Sequence, residues 1–178
     1  GVVQGLVDNQ GAIVADNGAV YLTAKGKDAL SRAVVNHSGI IEANRLSHNA
    51  KGEVILLADM QTGQANVSGR ISAQGMNEQD GGFIETSAAV INIADSADIT
   101  TLSAQGKTGE WLIDPFNVII SNDNSAGSQN SKNTFNPSQN DSIINVGTLQ
   151  NALANNNITV TTAGSGTQEG NITVADAV

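Results

Sequence analysis

Gly52-Glu53-Val54-Ile55-Leu56-Leu57-Ala58 decides the fold. It is a glycine followed by a short apolar run, long enough for a buried strand and too short for a helix of ordinary length. Its value lies in its copies. Gly18-Ala19-Val20-Tyr21-Leu22-Thr23-Ala24 precedes it, and Gly82-Phe83-Ile84-Glu85-Thr86 and Gly109-Glu110-Trp111-Leu112-Ile113 follow. The glycines fall at 18, 52, 82 and 109, so the steps are 34, 30 and 27 residues. A loose period of that length is the mark of stacked structural repeats.

A second motif interleaves with the first. Asn36-His37-Ser38-Gly39-Ile40-Ile41-Glu42-Ala43 aligns with Asn66-Val67-Ser68-Gly69-Arg70-Ile71-Ser72-Ala73 at an offset of 30. Asp95-Ser96-Ala97-Asp98-Ile99-Thr100 reads as a worn later copy, and Asn9-Gln10-Gly11-Ala12-Ile13-Val14-Ala15 as an earlier one. Each is a turn followed by a strand alternating in and out. A strand of five or six residues cannot bury its apolar face alone, but it can when stacked on its counterpart in the next repeat. The pattern therefore predicts an all-β, right-handed parallel β-helix, a solenoid over residues 1–121. The candidate interior positions are Ile13, Val20, Leu22, Ile41, Ile55, Leu57, Ile71, Ile84, Val90, Ile91 and Ile99. An antiparallel β-sandwich is the alternative. Against it stands the scarcity of two-residue hairpin signals, with Asn17-Gly18 the one Asn-Gly pair.

Composition agrees. Aromatic residues make up 3% of the 178, and Gly numbers 19 against 2 Pro. A compact globular core of this size leans on Phe, Tyr and Trp, whereas a stack of Val and Ile does not. Seventeen acidic residues against 8 basic ones give a formal charge of −9. No basic cluster exists to bind a phosphate backbone, so no nucleic-acid partner is expected. No cysteine is present, which excludes disulfides and thiolate metal sites. No apolar run is long enough to insert in a bilayer. Both ends fall inside the repeat pattern, so the chain reads as a piece of a longer protein.

Residues 122–142 break the pattern. Asn122-Asp123-Asn124-Ser125-Ala126-Gly127-Ser128-Gln129-Asn130-Ser131 reads as a polar loop or linker outside the stack. In residues 143–178, Val146–Leu153 reads as one short helix capped by Thr148, with Leu149, Ala152 and Leu153 on its apolar face. Strands then resume at Ile158–Thr162 and Asn171–Val174, the start of further coils.

The run Gly106-Lys107-Thr108-Gly109-Glu110-Trp111-Leu112-Ile113-Asp114-Pro115-Phe116-Asn117-Val118 resembles the Gly-x-Trp-Leu-Ile-Asp-Pro-x-x-Val element of filamentous-haemagglutinin-like exoproteins. These are the large secreted partners of Gram-negative two-partner secretion systems. Thr148-Leu149-Gln150-Asn151-Ala152-Leu153, Asn157-Ile158-Thr159-Val160-Thr161-Thr162 and Gly170-Asn171-Ile172-Thr173-Val174 resemble the segment that follows in that family. The motifs cover residues 106–174, while residues 1–105 match in repeat style alone. The resemblance implies a parallel β-helix, export by an outer-membrane transporter that contacts a region outside this chain, and a secreted or cell-surface product. It implies an adhesin with a host receptor or glycan as partner. The alternative is a passive stalk of a larger toxin or haem-acquisition protein.

No catalytic constellation is expected. Asp95 and Asp98 lie close in sequence without a basic neighbour, Arg32, Arg45 and Arg70 lack an acidic motif, and general acid–base work needs such groups together. His37 and His48, the two histidines, lack metal spacing and read as solvent-facing. The run from Asn122 places Asn133, not Glu, at the twelfth position of a calcium loop. No cofactor, metal or catalytic residue is assigned. Asn36, Asn66, Asn140, Asn157 and Asn171 open Asn-x-Ser/Thr sequons and are candidate glycosylation acceptors, with Asn140 the most accessible. Trp111, Asp114 and Pro115 read as structural. Trp111 fills the interior or a seam where the repeat changes, a surface ligand contact being the alternative. Pro115 lacks the N–H that a ladder needs.

Overall fold

A computed structural model describes residues 3–26, 32–122, 142–162 and 170–178. Its strands are β1 (Val3–Asn9), β2 (Ala12–Val14), β3 (Ala19–Thr23), β4 (Arg32–His37), β5 (Ile40–Glu42), β6 (Glu53–Leu57), β7 (Gln64–Val67), β8 (Arg70–Ser72), β9 (Phe83–Ser87), β10 (Val90–Ile93), β11 (Asp98–Thr100), β12 (Glu110–Asp114), β13 (Val118–Ser121), β14 (Ser142–Asn145), β15 (Asn157–Val160) and β16 (Ile172–Val174). One helix, α1 (Val146–Leu153), lies between β14 and β15. The chain is therefore mostly β.

The chain visits three sheets in rotation. Sheet A runs β1-β4-β7-β10, sheet B runs β2-β5-β8-β11, and sheet C runs β3-β6-β9-β12-β15. Every pairing among the described residues is parallel, which excludes the antiparallel sandwich there. Parallel neighbours need a long return connection. Here each strand's return path runs through the other two sheets.

Registry follows the sequence columns. Val20, Val54, Ile84, Trp111 and Ile158 stand in line across sheet C. Ile13, Ile41, Ile71 and Ile99 do so across sheet B. Val7, Val35, Ala65 and Ile91 do so across sheet A. Ile41, Val54, Ile71, Ile84 and Ile91 are fully buried. The core is thus a set of like-on-like columns, built from residues whose stiff side chains suit a pleated surface.

Glycine columns make the close stacking feasible. A Cβ on Gly39 would overlap the Gly11 carbonyl oxygen, and one on Gly69 the Gly39 oxygen. The hydrogen bonds Ile40 N–H to Gly11 O (2.8 Å) and Arg70 N–H to Gly39 O (2.9 Å) cross the same steps. Gly52, Gly82 and Gly109 form a second such column. Asn17, Asn49 and Asn77 take the left-handed conformation at corners, which asparagine tolerates better than most residues. Asn17-Gly18 therefore turns a corner into β3 and does not close a hairpin.

The sequence readings of Ile55, Leu57, Val90, Thr148 and Leu153 are corrected. In β6 it is Val54 and Leu56 that point inward, so Ile55 and Leu57 face out and are half-buried. Val90 likewise lies outside, with Ile91 and Ile93 inside. Ile13 and Leu22, by contrast, pack against the core as read, partly buried. The cap of α1 is Asn145, not Thr148. Its Oδ1 accepts from the N–H groups of Gly147 (2.8 Å) and Thr148 (3.2 Å), because Asn145 keeps the extended backbone a cap requires. Val146 and Leu149 are buried in α1, whereas Leu153 is 45% exposed.

At residue 118 the strict rotation ends. β13 lies between β14 and β16, parallel to both. β14 also packs on β10, where the Ile91 N–H donates to the Ser142 Oγ at 2.9 Å. Ser142, assigned from sequence to the polar excursion, is therefore in a strand. Residues 123–141, with the rest of that excursion, lie outside the described residues. Helix α1 then takes the place that a fifth strand of sheet B would hold, packing on β11. The Asn156 Nδ2 donates to Ile99 O at 2.8 Å and its Oδ1 accepts from the Thr101 hydroxyl at 2.9 Å. One buried amide thus replaces part of the missing ladder.

Candidate functional site

Trp111 sits in the interior column of sheet C, 2% exposed, between Ile84 and Ile158. Its indole N–H donates to the buried Thr86 hydroxyl at 3.2 Å, the partner a buried Trp needs. Trp111 therefore lies in the interior and not on the outer face. Asp114 ends β12 and Pro115 is buried beyond it. The chain then turns with Phe116 N–H donating to Ala89 O at 3.1 Å.

His37 does not face solvent. It is 1% exposed, inside sheet A opposite Asn9 and Val67. Its Nε2 lies 2.8 Å from the Arg70 carbonyl oxygen, and its Nδ1 lies 3.2 Å from the Asn9 Nδ2. These neighbours fix the neutral tautomer, with Nε2–H donating to the carbonyl and Nδ1 accepting from the amide. Burial pushes its pKa below the ordinary 6.5, partly opposed by the Arg70 carbonyl, which favours the charged form. Both nitrogens are engaged, so His37 offers no lone pair to haem or a metal. His48 is exposed in a turn. Among the described residues no three His, Asp or Glu side chains converge to hold a metal.

The carboxylates are dispersed. Asp98 pairs with Arg70 across β8 and β11, so both have an opposite charge nearby that their sequence neighbours did not reveal. Asp95 accepts from the Thr148 hydroxyl at 2.7 Å, tying the corner to α1. A cavity of about 180 Å³ lies between this corner and α1, lined by Asp95, Asp98, Asn151 and Asn155 over Ile99 and Trp111. It marks where a helix packs in place of a strand. A second polar cleft of about 130 Å³ is lined by Asp8, Gln10, Asn36, His37, Ser38 and Asn66.

Two of the sequons meet in space. The Asn66 Nδ2 donates to Asn36 Oδ1 and the Asn92 Nδ2 donates to Asn66 Oδ1, each at 2.7 Å. This outward amide ladder occupies the Asn66 nitrogen that a glycan would need. Asn157 is exposed and its Nδ2 donates to Thr108 O at 3.0 Å. Asn171 is exposed just before β16. Asn140 lies outside the described residues.

Among the described residues no helix is long and apolar enough to cross a membrane. No family model and no solved structure matches the chain. A heme/hemopexin-binding protein of Haemophilus influenzae is 38% identical to it over 71 residues, which are 39% of this chain and 7% of that protein. The match therefore spans a small part of that curated relative. The similarity is one of sequence in a stacked parallel-sheet chain whose two histidines form no pair.

Proposed function

We propose that the chain is a right-handed parallel β-helical segment of a large secreted surface protein of the filamentous-haemagglutinin-like kind. In this reading it reaches the cell surface by two-partner export and acts as the shaft of an adhesin, with its exterior available to a host receptor or glycan, and it is not an enzyme. The observation that carries the reading is the rotation of one chain through three in-register parallel sheets. That arrangement repeats a short unit and gains length at little folding cost per repeat. Adhesion tests it. Beads coated with the chain should bind epithelial cells in a way that soluble chain competes; beads that bind no more than albumin-coated ones refute a contact role.

The relative's name favours a second reading, a passive stalk within a haem-acquisition protein. Host haemopexin and free haem are then captured elsewhere in the full-length protein. Full-length protein should retain haemopexin on a pull-down and the isolated chain should not. Retention by the chain itself would place capture on this segment. Of the sequons, Asn36, Asn140 and Asn171 are the proposed acceptors, since the amide nitrogens of Asn66 and Asn157 already donate hydrogen bonds, and intact mass of native protein showing no hexose increments would reject all three.

A further inference from the structure

The outward side of sheet C interleaves acidic and apolar side chains, whereas the exposed aliphatic side chains Leu6, Val14 and Ile40 stand on sheets A and B. Tyr21, Ile55 and Leu112 stand in one cross-strand column with Glu85 between the last two. Glu53, Phe83 and Glu110 form the adjoining column, and Leu57, Ser87 and Asp114 the next. Tyr21 is 52% exposed, while Ile55, Leu57, Phe83 and Leu112 are half-buried by their neighbours alone. Among the described residues the ion pair recorded is Arg70–Asp98, on sheet B. Glu53 and Glu85 instead accept neutral hydrogen bonds, from the Tyr21 hydroxyl at 3.0 Å and the Ser87 hydroxyl at 3.2 Å. Lys25, Lys51 and Lys107 lie in the chain just beyond β3 and just before β6 and β12, outside the strands themselves.

We infer that this face docks a cationic, aliphatic-bearing polypeptide segment of another protein. Four carboxylates, Glu53, Glu85, Glu110 and Asp114, interleaved with five apolar side chains match alternating basic and aliphatic residues. A second copy of the same face would oppose carboxylate to carboxylate. A sugar would need flat aromatic platforms, and three of the five apolar groups are aliphatic. From β3 to β12 the face is about 14 Å wide at about 4.8 Å per strand, enough for a short extended or helical segment. Apolar contact supplies affinity and the glutamates supply orientation and on-rate.

The test uses the whole chain and three labelled synthetic peptides, followed by fluorescence anisotropy at low and physiological salt. A lysine–leucine amphipathic peptide should bind at least about tenfold more tightly than a lysine–glycine peptide of equal charge. A glutamate–leucine peptide should not bind. The triple change Glu53→Gln, Glu85→Gln, Glu110→Gln should weaken binding about tenfold, as should Ile55→Ser with Leu112→Ser. Leu6→Ser with Ile40→Ser, on sheets A and B, should leave it unchanged. Equal binding of the two lysine peptides, or indifference to the serine pair, overturns the inference and leaves general acidity alone. If the serine pair fails to fold, amide-shift mapping on the unmodified chain decides. Shifts confined to β3, β6, β9 and β12 support the docking face, and shifts elsewhere overturn it.

Discussion

Replacing His37 by valine should remove a pH dependence from the stability of the chain. Valine is what stands next in the same column, at Val67, so the pleat accepts it. Two hydrogen bonds go, to the Arg70 carbonyl at 2.8 Å and from the Asn9 amide at 3.2 Å. Asn9 is half-buried and water can serve it. The carbonyl loses its imidazole donor, for a cost of about 1–3 kcal/mol, partly offset by no longer desolvating an imidazole. The variant should therefore be less stable by about 1–2 kcal/mol at pH 8. The sign with pH follows from the depressed folded pKa. Below the ordinary 6.5 the unfolded chain binds a proton that the folded chain resists. Wild-type stability from His37 is thus fully present above about 6.5 and is lost as pH falls toward the folded value, with a slope of at most about 1.4 kcal/mol per pH unit. Urea titrations of both proteins at half-unit steps from pH 5 to 8 check this. The gap between them should be constant at the alkaline end and narrow on the acid side. Parallel curves across the whole range would refute the reasoning, because they would mean that His37 takes up its proton equally folded and unfolded.

Trp111→Ala should cost about 3–5 kcal/mol, and Trp111→Phe less, the loss there including the partner of the Thr86 hydroxyl. Trp111 is the single tryptophan, so its emission should be blue-shifted in the native chain and move red in step with unfolding. Ser142→Ala should leave the Ile91 N–H without its acceptor, destabilise by about 1–3 kcal/mol, and speed hydrogen exchange at Ile91 more than at Ile71. Strand order can be read by cross-linking, because no native cysteine interferes. Ile119→Cys with Ile143→Cys, register partners on β13 and β14, should oxidise to a disulfide. Asn92→Cys with Ile119→Cys should not, since β14 separates those strands by about 9.6 Å, beyond disulfide reach. The opposite pattern would show β13 lying directly on β10.

The parallel pairing was legible because the spacing of Gly18, Gly52, Gly82 and Gly109 is the register of sheet C itself. The same alignment held the answer for β6. Val20, Val54, Ile84 and Trp111 each stand two residues after the glycine, so Val54 belongs inside. Reading Val54-Ile55-Leu56-Leu57 by itself loses that phase, since an all-apolar run has no period of two. His37 was misread for a related reason. Its place in the column is set by Val35 and Val67, and a polar residue at an interior step is invisible to hydrophobic pattern. The partnership of Arg70 with Asp98 spans 28 residues, so no local motif announces it. Thr148 looked like a cap because it precedes the apolar residues of the helix. Asn145 won because β14 delivers it in the extended conformation immediately ahead of α1.

The exchange of β13 and β14 was hidden by a deeper degeneracy. Val118 follows Ile91 by 27 residues, and Ile91 follows Ala65 by 26, so spacing alone stacks β13 on β10. Val118 and Ile120 of β13 are buried where they stand, as are Ser142 and Ile144 of β14, so burial does not choose between the two orders and spacing alone favours β13. The shorter loop adds about 0.6 kcal/mol in the same direction. What reverses the order lies beyond the local step. With β14 on β10, the chain continues directly into α1, which covers β11 with Val146 and Leu149. It then reaches β15, whose Asn157 N–H donates to Gly109 O at 3.0 Å and restores the column on β12. Three elements are satisfied together by admitting one serine to the interior, and the Ser142 hydroxyl accepts the Ile91 N–H that a strand carbonyl would otherwise take. A repeat read strand by strand cannot show this preference, because it belongs to the circuit as a whole.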